Sequence, residues 1–301
     1  MLETLLAELA QMPDVQLVTS RDARLPVLGG LAEVVRVHAG DDVWQCWEQC
    51  VQQSDAVWPI APESGGVLER LSRLAVRHGK CLLNSAPDTV AIAASKWATL
   101  AVLAGVGLSV VPTFRPGETL PYHDGSWVVK PDDGVGCDDS RCFDDVVAMQ
   151  AWLEQDGRAL THIIQPYLPG APASLSMLCR AGKAWLLSCN RQLVELRQGV
   201  FSYHGSVLNG MVQYWDDFQQ VADTIAKAMS GLTGYAGVDV LVADGRITVL
   251  EVNPRLTTSY AGLGRAIGRN PAGLVLDLLY NKTLQTLPRV ERNVVTISLD
   301  E

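Results

Sequence analysis

Gly237-Val-Asp-Val-Leu-Val-Ala-Asp-Gly-Arg-Ile-Thr-Val-Leu-Glu-Val-Asn-Pro-Arg255 is the stretch that decides how the rest of the chain reads. Two apolar runs, Val238 to Val242 and Ile247 to Val252, flank Ala243-Asp244-Gly245, the grammar of a β-hairpin. Asp239, Glu251 and Asn253 interrupt those runs. Glu251 and Asn253 are two apart and share one strand face. Whether Asp239 joins them depends on the turn. A two-residue Asp-Gly turn pairs position 239 with 250 and sends Asp239 to the other face. A three-residue turn, with Gly245 left-handed, pairs 239 with 249. Asp239 and Glu251 then become diagonal neighbours, their Cβ atoms roughly 7–8 Å apart. Two carboxylates and an amide oxygen form a hard-oxygen site suited to Mg²⁺, for which Mn²⁺ can substitute. An edge hairpin with a solvated polar face is the competing reading. Acids inside Val-rich strands favour the metal, because they are poor strand formers.

The chain has 301 residues, enough for two or three packed units. Its hydrophobic fraction of 48% and charged fraction of 19% describe a globular protein rather than a disordered one. A net charge of -9 argues against nucleic acid or an anionic membrane as the main partner. Met1-Leu-Glu-Thr-Leu-Leu-Ala-Glu is acidic and amphipathic, unlike a secretory signal, and no apolar run approaches the roughly 20 residues of a membrane span. Seven cysteines, an odd number in mostly apolar settings, suit reduced thiols and a cytoplasmic location.

Residues 1 to about 85 alternate helix-like and strand-like segments, the signature of a parallel sheet covered by helices. Strands are expected near 15–20, 33–37, 55–62 and 80–84, and helices over 2–12, 41–51 and 67–78. The turn Glu63-Ser-Gly-Gly66 joins a strand to a helix; it is either a ligand-holding loop or a plain connection. Pro87 and Ser95-Lys96 each open a helix. Trp127-Val-Val-Lys-Pro131 is a strand that runs into a loop with Gly134 and Gly136, where backbone amides could wrap a phosphate. Four aspartates in that loop oppose a simple anion nest. Ser174 to Cys179 and Lys183 to Asn190 form a hairpin, followed by a glycine-bearing connection to Gly210 that contains His204. A helix over 218–229 leads back to the opening hairpin. Residues 256–267 and 271–281 are helical, and 293–299 is a strand.

In this order the pieces resemble the ATP-grasp superfamily over essentially the whole chain. Ser95-Lys96, a helix and Val110-Val-Pro-Thr113 resemble its first nucleotide lysine. Val129-Lys130-Pro131 with the Gly134/Gly136 loop resembles the second lysine and its phosphate lid. Asp239 with Leu250-Glu-Val-Asn-Pro-Arg255 resembles its paired metal ligands. Pro59-Ile-Ala-Pro-Glu-Ser, Asn190-Arg-Gln192 and Asn253-Pro-Arg-Leu-Thr-Thr-Ser-Tyr260 further look like the small group containing tyramine:glutamate ligase of methanofuran biosynthesis.

The resemblance implies an α/β protein: a Rossmann-like parallel domain over 1–85, then an ATP-grasp domain over 86–301 whose two α+β subdomains clasp ATP. About 110–170 would be the mobile nucleotide lid and about 171–301 the metal and catalytic part. Lys96 and Lys130 would neutralise phosphates. Gln165, Tyr167 and Leu168 would form the edge that meets adenine, and Gly134 and Gly136 the lid. Asp239, Glu251 and Asn253 would hold Mg²⁺, with Glu251, Asn253 and Arg255 acting in catalysis, Arg255 on the transferred phosphoryl group. The family's ribose-binding glutamate has no counterpart in Gly170-Ala-Pro-Ala-Ser174, which leaves Ser174 or a loop aspartate as replacements. The implied activity is ligation of a small carboxylic acid to an amine through an acyl phosphate, with glutamate and an aromatic amine as substrates in C1-carrier biosynthesis. A non-catalytic nucleotide-binding regulator, or an ATP-grasp carboxylase or kinase, would use the same apparatus. Thr257 to Tyr260 either present hydroxyls and amides to a substrate carboxylate or simply start a helix, and His204 is either a base for the amine or, the simpler reading, an exposed loop residue. A homodimer is compatible with these features.

Overall fold

The computed structural model describes residues 1–299 apart from 27, 135, 283–285 and 287. Within the expected phosphate loop only residue 135 lies outside the described residues. The N-terminal part contains α1 (Leu2–Leu9), β1 (Val18–Asp22), β2 (Glu33–Val37), α2 (Val43–Gln53), β3 (Ala56–Val57), α3 (Val67–Arg77) and β4 (Cys81–Leu82). Asp42 accepts from the amides of Trp44 and Gln45 and so fixes the start of α2. The strands pair in parallel, as the alternating pattern predicts, but as two separate pairs, β1–β2 and β3–β4. Among the described residues the expected single sheet is thus split in two. The two residues each in β3 and β4 are too short to carry a ladder across to β1–β2.

Next come α4 (Pro87–Ala94) and α5 (Lys96–Gly105), then the region expected to form the lid, built from β5 (Trp127–Pro131), β6 (Arg141–Phe143), α6 (Val146–Leu153), α7 (Arg158–Thr161) and β7 (His162–Pro166). The lid has its own small core of Trp127, Val129, Met149, Trp152, Leu153 and Ile164. The remainder contains β8 (Ala171–Arg180), β9 (Lys183–Arg197), β10 (Val200–Leu208), α8 (Trp215–Ala228), β11 (Gly234–Ala243), β12 (Arg246–Asn253), α9 (Tyr260–Ile267), α10 (Pro271–Leu279) and β13 (Val295–Ser298). Among the described residues no helix is long and apolar enough to cross a membrane.

One antiparallel sheet runs β12-β11-β8-β9-β10-β6-β5-β7, with β13 also paired to β10. It therefore continues from β8–β12 through β10 into β5–β7, but among the described residues the β10–β6 junction pairs only Val200 with Arg141. Helix α8 covers one face through Phe218, Ala222 and Ile225. The other face carries a second core, in which α9, α10 and Leu5 and Leu9 of α1 meet. Glu8 ties these together: its Oε2 accepts from the Tyr260 hydroxyl at 2.6 Å and its carbonyl from Asn270 Nδ2 at 2.8 Å.

Two expectations are corrected here. The connection leading to Gly210 is not a loop but the strand β10, reached from β9 through Gln198 and Gly199, both at positive φ. An Asx/Gly turn signal was absent, which is why the hairpin did not show in the residue pattern. Helix α9 starts at Tyr260 rather than at 256, because Pro254 to Ser259 form the loop that carries Arg255.

Candidate active site

The hairpin β11–β12 does not use the three-residue turn. Ala243 pairs with Arg246 across Asp244-Gly245, both at positive φ. The ladder then shifts by one residue between Asp239 and Val240, so Leu250 is bulged and Asp239 lies directly opposite Glu251. The bulge does what the longer turn was expected to do. Without it, Val252 would face solvent and Glu251 the core; with it, Val252 is 3% exposed and packs inward. Direct opposition also brings the carboxylates closer than the diagonal arrangement would.

Around this pair the structure gathers charge. Lys96 Nζ lies 3.3 Å from Glu251 Oε2 and donates to Gly134 O at 2.7 Å. Burial raises the Glu251 carboxyl, but Lys96 and then Lys130 outweigh it and hold the group at about 2. Burial and the Glu251 charge push Asp239 well above the ordinary carboxylate range. Burial lowers Lys130 to about 8, with Lys96 adding to the effect. Asn253 points Nδ2 toward Asp239 Oδ2 at 3.4 Å and Glu251 Oε1 at 3.5 Å, while its Oδ1 accepts from Arg255 at 3.3 Å. Among the described residues no three His, Cys, Asp or Glu side chains converge as a closed metal cage. The donor set nonetheless fits Mg²⁺, which takes one or two carboxylates and completes its shell with water and phosphate oxygens. The buried pair of unlike-titrating carboxylates is the feature a divalent cation would relieve. To become a ligand itself, Asn253 must turn its amide by half a rotation.

The lid side of the site is built by helix capping. Ser95 accepts from Ala98 N and donates to Asp132 Oδ2 at 2.7 Å, and Asp132 Oδ1 accepts from Trp97 N at 2.8 Å. The start of α5, and with it Lys96, is thus fastened to the end of β5. Asp133 accepts from Gly65 N at 3.2 Å, and Asp139 lies 3.1 Å from His162 Nε2 and 3.3 Å from Arg158 Nε. Three of the four aspartates that seemed hostile to a phosphate are therefore occupied by structural bonds. Gly136 adopts φ +68, and a Cβ on Gly134 would meet Pro131 Cβ at 2.8 Å.

The expected adenine edge is placed unevenly. Gln165 is buried and donates to Thr113 Oγ1 at 2.9 Å, and the Tyr167 amide bonds Ser126 O. Leu168 lines a cavity of about 520 Å³ together with Leu241, Ala243, Asp244, Arg246 and Thr248. Leu241 and Thr248 are opposite one another and continue the face that carries Asp239. Ser174, opposite Asp239, is buried and bonded to Asn190 rather than turned toward that cavity.

Four features escaped the residue pattern. Gln192 Nε2 donates to Asp239 Oδ1 at 2.8 Å. Tyr235 is buried with its hydroxyl 2.9 Å from Ser176 Oγ and 2.8 Å from Thr257 Oγ1, so Thr257 is engaged within the protein. Arg255 is not free for a phosphoryl group: its Nε donates to Glu63 Oε2 at 2.6 Å. The Glu63 turn stands out in the sequence, but its pairing with Arg255 spans 192 positions and no local signal carries it. Finally, His204 sits on β10 at a bulge, 3.7 Å from Glu195, and not in an exposed loop. Glu195 alternates with Gln192 and Val194 on β9, so His204 points away from the carboxylates.

A model of the ATP-grasp domain matches residues 93–259, and a model of the pre ATP-grasp 3 domain matches 15–90. The tyramine–L-glutamate ligase of Methanocaldococcus fervens is 27% identical over 212 residues, 70% of this chain and 62% of that protein. The chain thus spans about three-fifths of that relative's length. A structure assigned to the ATP-grasp superfamily from Archaeoglobus fulgidus superimposes with a TM-score of 0.62 at 23% identity, over 89% of this chain and 87% of the other. L-amino acid ligase from Bacillus licheniformis gives a TM-score of 0.69 at 17% identity, covering 91% and 70%. With Lys96 on one of two opposed carboxylates, and a family model matching more than half its length, the chain belongs to the ATP-grasp family.

Proposed function

We propose that the chain is an ATP-dependent carboxylate–amine ligase working through an acyl phosphate, with glutamate as the acid and an aromatic amine as the acceptor in C1-carrier cofactor biosynthesis. The observation that supports it most is the opposed pair Asp239 and Glu251 with Lys96 on one of them and Lys130 close by. In this reading Lys96 exchanges Glu251 and Gly134 O for phosphate oxygens, and Lys130 adds a second point charge. Bound Mg²⁺, held by Asp239, Glu251 and Asn253, would supply charge neutralisation and orientation of the phosphates. Leu168, Leu241 and Ala243 offer adenine an apolar seat of suitable size beside those carboxylates. Asp132 and Asp133 keep the lid loop docked, which excludes water that would hydrolyse an acyl phosphate. Arg255 turns from Glu63 to the transferred phosphoryl group.

The test is release of ADP and phosphate from ATP, glutamate and a panel of aromatic amines, with product mass as the second readout. Glu251→Gln removes the anchor for both Lys96 and the cation, and should lower turnover by at least a hundredfold with the melting temperature near wild type. Wild-type turnover in that variant would remove the metal assignment. Tight Mg·ATP binding without release for any acid–amine pair would favour a non-catalytic nucleotide sensor.

A further inference from the structure

Glu63, from the N-terminal part matched by the pre ATP-grasp domain, contributes a carboxylate to the site. It is 6% exposed. Oε2 is bonded to Arg255, whereas Oε1 is buried and has no hydrogen-bond partner among the described residues. It borders a narrow cleft shared with Lys96, Gly134, Glu251 and Asn253. A buried carboxylate oxygen left without a donor is costly unless water, an ion or a ligand group relieves it, and here the unpartnered oxygen borders the cleft. Resting on the ligase reading, the problem sharpens during turnover. Once Arg255 swings to the phosphoryl group, both oxygens of Glu63 are open in a dry cleft, and only a cationic donor compensates them well.

We propose that Glu63 is the receptor and proton acceptor for the acceptor substrate, a primary ammonium ion that enters beside Arg255. Near neutral pH an alkylamine arrives protonated and has no lone pair for attack. One N–H proton passes to Glu63 Oε1, and the freed lone pair forms the C–N bond at the acyl carbon. The bond from that carbon to the phosphate oxygen breaks, and its electron pair leaves with phosphate. The second N–H proton departs with the phosphate, which leaves the neutral amide. Arg255 and Glu63 thus exchange their mutual ion pair for two substrate partners, the phosphoryl anion on one and the ammonium on the other.

The experiment compares two acceptors in wild type and Glu63→Gln, using ATP, glutamate and either tyramine or hydroxylamine. Hydroxylamine is uncharged near neutral pH and captures an acyl phosphate as the hydroxamate without a protein base. Loss of one general-base contribution lowers the rate by roughly 10²–10⁴-fold. Glu63→Gln should therefore lose at least a hundredfold in kcat/KM for tyramine and keep hydroxamate formation within about tenfold. Glu63→Asp, which keeps the charge, should recover part of the tyramine rate, and thermal melting checks that each variant folds. Equal loss with both acceptors would overturn the proposal, since Glu63 would then only hold Arg255 or the fold. A raised KM for glutamate in the hydroxylamine assay would overturn it too, by moving Glu63 to the acid's own ammonium. Absence of hydroxamate and amide in wild type would instead remove the ligase reading itself, so the two failures are distinguishable.

Discussion

Replacing Gln192 by Leu tests the geometry of the carboxylate pair without touching either carboxylate. Gln192 Nε2 donates to Asp239 Oδ1 at 2.8 Å, and the other donor toward Asp239, Asn253 Nδ2, is at the longer distance of 3.4 Å. Leucine is similar in size and deletes the amide. A hydrogen bond to a charged group contributes about 1.5–3 kcal/mol. At about 1.4 kcal/mol per decade, that is roughly tenfold to a hundred-and-fifty-fold in the affinity of the ionised site for a divalent cation. The sign follows from Asp239, already raised by burial and by Glu251: without the amide the proton competes better and the metal worse. Calorimetric titration of the nucleotide-free protein with Mn²⁺ measures this directly, and the KM for Mg·ATP should rise in parallel. The metal-free melting temperature should change little, because neutral Asp239 loses less than the carboxylate would. Mn²⁺ affinity within twofold of wild type would refute the reasoning.

Three further outcomes are expected. Tyr235→Phe strands the hydroxyls of buried Ser176 and of Thr257, and should lower unfolding free energy by about 1–3 kcal/mol in urea melts, with wild-type Mn²⁺ affinity. Gly205→Ala should cost more: at φ +134 its new Cβ would overlap the carbonyl oxygen of Ile297, so the β10–β13 pair must part, with circular dichroism melts falling by several degrees. Glu8 is raised above its ordinary 4.5, chiefly by burial, so the fold favours its neutral form. Its contribution is fully present below the unfolded value and is lost as pH rises through the folded one; Glu8→Gln should flatten that fall in a series of melts from pH about 4 upward and stabilise the protein at neutral pH.

What could be read beforehand and what could not divide along sequence distance. Asp244-Gly245 between Val-rich runs announces a hairpin, and Ser95 before Lys96 announces a capped helix, because both are local backbone preferences. The face of Asp239 was not readable, since it hangs on a bulge at Leu250 that no residue type marks. Strand β10 was hidden for a related reason: Gln198-Gly199 is a weak turn signal, and the Gly205 that bends the strand looks like loop material. The partners that complete the site, Gln192 for Asp239 and Glu63 for Arg255, are 47 and 192 positions away, so only the assembled sheet and the docked N-terminal domain bring them in. The parallel pairs β1–β2 and β3–β4 were legible as strands, but not their separation, which depends on how short β3 and β4 are.

The junction between β10 and β6 has a consequence for how this molecule reports its state. The lid holds its own core and meets the main sheet through the Val200–Arg141 pair and the bond from Cys142 N to Gly199 O. Within the sheet these shared bonds are few, so once the ties of Asp132 to α5 and of Asp133 to Gly65 release, β5, β6 and β7 should open together at a lower free energy than β8 to β12. Amide exchange should then show two plateaus along one continuous sheet. A molecule that fastens the glycine loop would slow only the first of them, so occupancy becomes visible in lid amides before any bond is made or broken.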